Sequence, residues 1–425
     1  MAQTSPILTN TLAQLIAKGV AVLLTLLSTT YIIRLGGSEL FGEYTKALAL
    51  ITIGFTAIDF GLNASAVRSM TGSQQHRQQV LANTLLSRLL LSLIAVLTLN
   101  FIVFLLPHNY SGQIRNIFWL GTIAILFQGF YTSSNAWFQR HLEYWRGSLA
   151  IILSTIFGTV LTIYYLFTSP TLEHILLAFT LGYSLMGLTS LILLRSNLPH
   201  KYSLTGALSH LKKSLLLGFI LILSVLASKL DVIILGIFRN ASIVGEYGFA
   251  YRVFDVAIIL PVFVMNTVYP MMIGSSKKDK KRLISSSLKN LTILGVLGAL
   301  ILYPLAPLIH LVKPGLDLSV STFRILVLFL PLFYASAPLM WQLIEARREK
   351  SLLILYFLAA ILNATLNLVF VPRYGAAASA VFTGVTELFI LIGLIYLTTS
   401  GSDLTGLEAP SSKSSPKRSD PKGLL

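Results

Sequence analysis

An all-helical integral membrane fold of about twelve spans, in two similar six-helix halves, is what this chain predicts, and three observations predict it. Apolar stretches long enough to cross a bilayer follow one another along the chain. The basic residues fall almost entirely in every second gap between those stretches. A tripeptide recurs at the same topological place in each half. Composition agrees: 55% of residues are hydrophobic, mean hydropathy is +0.77, and only 11% are charged. A soluble domain carries about a quarter charged residues. A chain this poor in charge cannot cover a globular surface with polar groups, so lipid is its solvent. The apolar runs are continuous rather than alternating, which excludes a strand-built barrel.

A helix needs roughly 20 apolar residues to cross the hydrocarbon core. In chain order the spans read as 11–33, 41–67, 82–106, 116–138, 145–168, 173–195, 213–238, 247–273, 287–311, 321–345, 350–372 and 376–399. The first is too long for a signal-peptide core and lacks a small-residue cleavage pattern, so it is retained as a span. The gaps after spans two and four carry Arg68, Arg77, Arg140 and Arg146. The gap after span six carries Arg195, Lys201, Lys212 and Lys213. Those after spans eight and ten carry Lys277, Lys278, Lys280, Lys281, Arg282, Lys289, Arg347, Arg348 and Lys350. With four basic residues in the tail, this side holds 21 of the 32 Lys and Arg residues. The other side holds five: Arg34, Arg115, Arg239, Lys313 and Arg373. An even span count puts both termini on one side, and the positive-inside rule makes that side cytoplasmic.

The formal charge of +16 is then mostly topogenic and sits near anionic lipid. No nucleic-acid-binding signature accompanies it, so nucleic acid is not an expected partner. The absence of cysteine removes disulfides and thiolate metal sites. Residues 400–425 are rich in Ser, Pro and Lys and read as a disordered cytoplasmic tail.

Gly42-Glu43-Tyr44 opens span two, and Gly245-Glu246-Tyr247 opens span eight, 203 positions later. Each follows a span, a short outer gap and one apolar residue, Phe41 or Val244. The recurrence points to a duplicated six-span unit, with halves at 1–195 and 213–399 and a polar cytoplasmic linker at 196–212. Six spans per copy give both the same orientation, related by an axis along the membrane normal.

A charge in the apolar core costs several kcal/mol unless it is paired or hydrated. The spans contain Lys18, Lys46, Asp59, Arg88, Lys229, Asp231, Arg252, Asp255, Arg324 and Glu387. Folding spans seven and eight about their turn near 242–243 sets Lys229 level with Asp255, and Asp231 level with Arg252. Arg252 and Asp255 are also i,i+3 neighbours on one helix face. About the turn near 74–75, Asp59 comes level with Arg88, and Lys18 reaches a similar depth. Lys46 and Arg324, and near the ends Lys18 and Arg88, have stems long enough to snorkel to the interface. Two readings stay open for the rest. The charges either close into pairs that tie helices together, or they line a wet, cationic cavity that receives an anionic headgroup. In the second reading Lys18, Arg88, Lys229 and Arg252 meet the anion. Asp59, Asp231, Asp255 and Glu387 hold those cations or exchange a proton or sodium ion.

Catalytic signatures are missing. There is no phosphate-binding loop, and the seven histidines have no metal-ligand spacing, so neither an enzyme nor a cofactor is expected. The outer gaps are too short for an extramembrane catalytic domain. Tyr31, Tyr44, Tyr247 and Tyr269 at span ends read first as interface anchors and second as sugar-stacking rings. Pro261, Pro270, Pro304, Pro331 and Pro338 lie within or at the ends of spans, where proline bends a helix.

Phe41-Gly42-Glu43-Tyr44, then Ile58-Asp59-Phe60-Gly61-Leu62 with Arg68 seven residues after Gly61, resembles the second-span signature of bacterial polysaccharide flippases. These are the O-antigen and oligosaccharide repeat-unit translocases of the multidrug/oligosaccharidyl-lipid/polysaccharide exporter superfamily. Ser228-Lys229-Leu230-Asp231, Val244-Gly245-Glu246-Tyr247, Ala250-Tyr251-Arg252 and Tyr269-Pro270 look like the corresponding seventh and eighth spans. Phe138-Gln139-Arg140 with Glu143-Tyr144 looks like the fourth-loop pattern. The resemblance implies a MATE-like fold of two six-helix bundles around a central cleft. It implies movement of undecaprenyl-diphosphate-linked oligosaccharide across the cytoplasmic membrane by alternating access, for surface polysaccharide synthesis. Its implied partners are that lipid-linked oligosaccharide, membrane lipid, and glycan polymerases or glycosyltransferases. Proton or sodium coupling is a further expectation. The rivals are a drug or cation antiporter, a lipid II-type flippase and a membrane glycan polymerase or ligase. Lipid II flippases usually carry two more C-terminal helices, and cationic drugs would be repelled by a cavity of Lys and Arg.

Overall fold

The computed structural model describes residues 4–107, 109–110, 112–198, 201–272 and 275–399. The tail expected at 400–425 and two residues of the 196–212 linker lie outside them. The described helices are α1 Thr4–Tyr31, α2 Gly37–Asp59, α3 Leu62–Ser69, α4 Gln74–Leu105, α5 Gly112–Arg140, α6 Tyr144–Thr168 and α7 Leu172–Leu194. They continue as α8 Leu204–Phe238, α9 Ala241–Met272, α10 Lys277–Leu305, α11 Asp317–Leu328, α12 Leu330–Glu345, α13 Glu349–Tyr374 and α14 Ala376–Thr399. Hydroxyl caps start four of them: Ser73, Thr171, Ser203 and Ser276 each accept a bond from the backbone N–H three residues on.

Among the described residues nine helical segments are long and apolar enough to cross a membrane, and the bent pair α11–α12 makes a tenth. One of the nine, Ala17–Asp59, runs for 43 residues. At 1.5 Å per residue that is roughly 65 Å, twice the hydrocarbon core, so it holds the first two expected spans. The π-helical turn Ile32–Gly36 joins them. Helix α8 stands outside the nine and fills the place of the seventh expected span. A helix therefore stands at each of the twelve expected positions.

Three boundaries differ from expectation. The second span does not run unbroken through 67: α2 stops at Asp59, and the chain turns through Phe60 (φ 41°) and Gly61 (φ 70°) into α3. Two successive left-handed residues cannot continue a helix, and glycine makes the second inexpensive. The tenth span is broken at Phe329 by 45°, next to Pro331. The linker is partly helical, because α8 begins at its Ser203 cap.

Packing repeats between the halves. In the N-terminal bundle α1 lies on α6, α4 on α5, α5 on α7 and α6 on α7. In the C-terminal bundle α8 lies on α13, α10 on α12, α12 on α14 and α13 on α14. Leu97, Phe104, Phe167, Leu300 and Leu311 are among the large apolar side chains exposed on the outside, where lipid is the solvent.

The bundles meet where the tripeptides sit. Helices α2 and α9 cross with Gly42 against Gly245: a Cβ added at Gly42 would lie 1.7 Å from the Ala241 carbonyl oxygen, and one at Gly245 would lie 2.0 Å from that of Ser38. Ser38 and Gly42, and Ala241 and Gly245, are small residues four apart, the spacing that lets two membrane helices approach backbone to backbone. Phe41, Val244, Tyr247 and Phe249 bury around the crossing. This contact seals the two bundles at the ends of α2 and α9 farthest from the basic loops, here called the sealed face.

Candidate functional site

Away from the seal the bundles part around a set of cavities. Among the described residues, the largest of four has a volume of about 480 Å³ and is walled by α1, α2, α5, α6 and α7, with Arg252 of α9 reaching in from the C-terminal bundle. A second, of about 50 Å³, lies between α2 and the pair α8–α9, against Lys229, Arg252 and Asp255. A third, of about 300 Å³, lies between α1 and α9, again on Arg252 and Asp255. Arg252 is thus the side chain common to all three. A fourth, of about 140 Å³, shares Tyr131 and Ile151 with the largest and extends toward the α5–α6 turn past Asn135, Gln139, Tyr144 and Lys18. The space therefore leads from the middle of the molecule toward the basic loops.

The two walls differ in chemistry. On the N-terminal side, hydroxyl residues of α1, α2 and α6 face a cluster of rings. Tyr183 lies 4.6 Å from Phe179 and 4.8 Å from Phe55, centroid to centroid, and Tyr44 lies edge-on to Phe179. On the C-terminal side, Lys229 Nζ stands 5.7 Å from the centre of the Tyr251 ring. Arg252 and Asp255 approach to 3.9 Å, each a little over a third exposed, a loose pair free to take other partners. Glu387 of α14 is half-buried beside Ser336 and within electrostatic reach of Tyr251 and Tyr356.

Asp231 stands apart from the partner expected for it. The hairpin registers Asp231 with Arg252, but the Tyr247 hydroxyl donates to Asp231 Oδ2 at 2.5 Å, and Val232 N–H donates to Oδ1 at 2.7 Å. Asp231 is 2% exposed, whereas Lys229 two positions earlier is half-buried. Residues two apart on a helix point about 200° apart, so level depth did not bring both to one face. The Lys229–Asp255 pair is likewise not closed; Lys229 lies over the Tyr251 ring instead.

Asp59 and Arg88 do pair, with Arg88 Nη2 donating to Asp59 Oδ1 at 2.9 Å and Nη1 to Ser133 at 3.3 Å. Arg88 is 1% exposed and lines none of the described cavities, so this pair ties α2 to α4 and α5. Lys18 is exposed at the mouth toward the basic loops. Lys46 corrects the snorkelling expectation: it is fully buried, 3.2 Å from Glu43, donates to the Asn109 carbonyl at 2.7 Å and sits over Tyr110. Its stem reaches the α4–α5 turn, which meets the charge before solvent does. Arg324 lies over the Tyr303 ring.

Two features escaped the sequence reading. One is that the paired tripeptides touch; their small-residue spacing was the available signal. The other is the hydroxyl wall, legible in Ser154, Thr155, Thr159 and Thr162, which recur at helical spacing on α6.

Similar proteins agree with this architecture. Lipid II flippase MurJ, in an inward closed conformation, superposes with a TM-score of 0.76 at 16% identity, over 90% of this chain and 87% of that one. An inward-facing multidrug resistance MATE family transporter of the MOP superfamily gives 0.72 at 15% identity, over 92% and 96%. A MOP superfamily transporter from Pyrococcus furiosus, described as having a binding pocket of reversed polarity, gives 0.60 at 14% identity, over 91% and 96%. At these identities the likeness is one of fold. No curated protein matches the sequence. The family model described as polysaccharide biosynthesis protein matches residues 7–276, from α1 through the seal and the charged wall. A match over more than half of the chain shows that it belongs to that family.

Proposed function

We propose that this protein moves a polyprenyl-diphosphate-linked oligosaccharide across the cytoplasmic membrane, with both termini cytoplasmic, for the synthesis of a surface polysaccharide. The observation that carries the reading is Arg252, a guanidinium on the shared wall of three cavities between the bundles, only loosely held by Asp255. A guanidinium fits a diphosphate with paired N–H donors. Lys229 stands beside it, and Lys18 at the cytoplasmic mouth is the first cation such an anion meets. The path toward the basic loops and the Gly42–Gly245 seal at the other face are the two ends of an alternating-access cycle. The polyprenyl tail stays in lipid while the sugars cross through the wet space. Coupling to a proton or sodium gradient falls, in this reading, to Asp255 and Glu387, two partly exposed carboxylates; Asp59 is held by Arg88 and Asp231 by Tyr247. Glycan polymerases or glycosyltransferases are the partners that consume the flipped product.

The test is glycan export in a flippase-deleted host supplied with candidate repeat-unit genes, at matched membrane levels. Rescue by wild type and loss with Arg252→Ala and Lys229→Ala support the reading. Rescue by all three keeps the transport and removes the cations from it. Resistance to cationic dyes without glycan export would instead favour a drug antiporter, and rescue of peptidoglycan synthesis a lipid II flippase.

A further inference from the structure

Resting on that reading, we infer that the N-terminal wall of the large cavity is a subsite for uncharged sugar, so that the transporter discriminates against repeat units carrying a carboxylate. Four observations converge. First, no charged side chain of the N-terminal bundle lines this cavity among the described residues; Arg252, with Asp255 beside it, is the charge that reaches it. Second, most of the wall's Ser and Thr hydroxyl protons are already committed. On α6, Ser154 and Thr155 donate to the Ile151 carbonyl and Thr162 to that of Gly158. Thr29 of α1 donates to Thr25, and Thr52 of α2 to Leu48. Ser28 donates to Thr159, which itself donates to Leu24. What these oxygens still offer is lone pairs, so this hydroxyl face accepts hydrogen bonds rather than giving them. Third, the Gln128 side chain lines the cavity, and its Oε1 is a buried acceptor with no partner among the described residues. Fourth, Phe55, Phe179 and Tyr183 form a platform against which the C–H face of a sugar ring packs.

A neutral sugar answers such a wall with its own O–H donors. A uronic acid keeps its ring hydroxyls, but its carboxylate only accepts where the neutral sugar's primary hydroxyl donates, and that carboxylate would leave water with no counter-charge on this side. The phenols of Tyr44, Tyr131 and Tyr183 are neutral donors and do not replace one. At about 480 Å³ the cavity is within the range of small-ligand sites, which suits a short saccharide rather than a polymer.

The experiment uses the full-length protein in vesicles. Two undecaprenyl-diphosphate trisaccharides are compared that differ by one glucose or glucuronate, and the share reached by a membrane-impermeant oxidant is followed with time. The neutral compound should move faster by about tenfold or more, since a site built around hydrogen bonds rejects a ligand that cannot complete them. Thr25→Lys, a cation at an exposed cavity position, should narrow the gap, with its thermal unfolding curve serving as the check on folding. Equal rates for the two compounds would overturn the inference and leave the flippase reading intact. Movement of neither would overturn the proposed substrate class, and the inference with it.

Discussion

The two walls of the cavity come from related bundles, yet one is built of hydroxyls and rings and the other of charges. The buried carboxylates differ in the same sense. In the N-terminal bundle Asp59 is matched by a cation, Arg88, and neither lines any of the four cavities. In the C-terminal bundle Asp231 is matched by a phenol, Tyr247, and the cations Lys229 and Arg252 stay available to the space between the bundles. One bundle uses its charge pair to hold helices together; the other leaves its cations on the cavity wall. The seal is the place where the copies remain alike, with Gly42 and Gly245 each pressed against the other helix's backbone.

That common element offers the largest effect. A Cβ added at Gly248 would lie 3.3 Å from Thr45 Cβ, close to the separation found across a disulfide. The natural chain has no cysteine, so Thr45→Cys with Gly248→Cys gives a clean pair. Oxidation should join α2 to α9 and arrest transport almost completely, and reductant should restore it. Ready cross-linking with transport undiminished would show that the seal does not open during the cycle.

The charged wall comes next. Arg252→Ala should lower glycan export by about tenfold or more, the order expected when a buried anion loses a bidentate partner. Lys229→Ala should cost less, since Lys229 touches one of the three cavities rather than all of them. Arg88→Lys, by contrast, should leave export per folded molecule near normal. If it instead abolished export in a stable protein, the division between tying and binding charges would fail. In stability the order reverses. Asp59→Asn leaves Arg88 buried without its counter-charge and should destabilise by about 3 kcal/mol, at the lower end for broken buried pairs because Asp59 is a third exposed. Denaturation in detergent measures it.

How much of this was readable in the chain follows from what each signal reports. Apolar length and the alternation of basic loops gave the helices and their order, because the bilayer imposes both on sequence. Depth arithmetic found Asp59–Arg88, where the partners stand on facing helices. It failed for Asp231, because depth says nothing about which way a side chain points around its helix. Lys46 was misjudged for a related reason: its shortest bond goes to the Asn109 carbonyl, in a turn 63 residues away, which no local pattern reveals. The tripeptide marked a repeat but not that its two copies touch, which depends on the relative placement of the bundles.

The carboxylates proposed for coupling, Asp255 and Glu387, should yield a smaller effect. Glu387→Gln should leave glycan movement without a gradient close to wild type and reduce its acceleration by a proton or sodium gradient, measured in vesicles under each gradient in turn. Equal acceleration in both proteins would remove Glu387 from coupling and leave Asp255 as the carboxylate to change.

The smallest effect sharpens the comparison most. Tyr247→Phe deletes the hydroxyl that donates to Asp231 and also meets Thr383, while the ring remains buried in the α2–α9 contact region. Asp231 keeps the Val232 N–H, so the loss is one strong hydrogen bond, worth about 1–3 kcal/mol for a buried acceptor. If Asp231 serves only to fix α8 against α9, export per folded molecule should stay at the wild-type level while the unfolding midpoint falls. If the freed carboxylate turned toward Lys229 or Arg252, it would compete with the substrate's diphosphate, and export should fall further than stability does. Measuring both in the same membranes separates the two. The first result would make Asp231 the C-terminal counterpart of Asp59, a carboxylate committed to packing; the second would show that its phenol partner is what keeps the binding cations free.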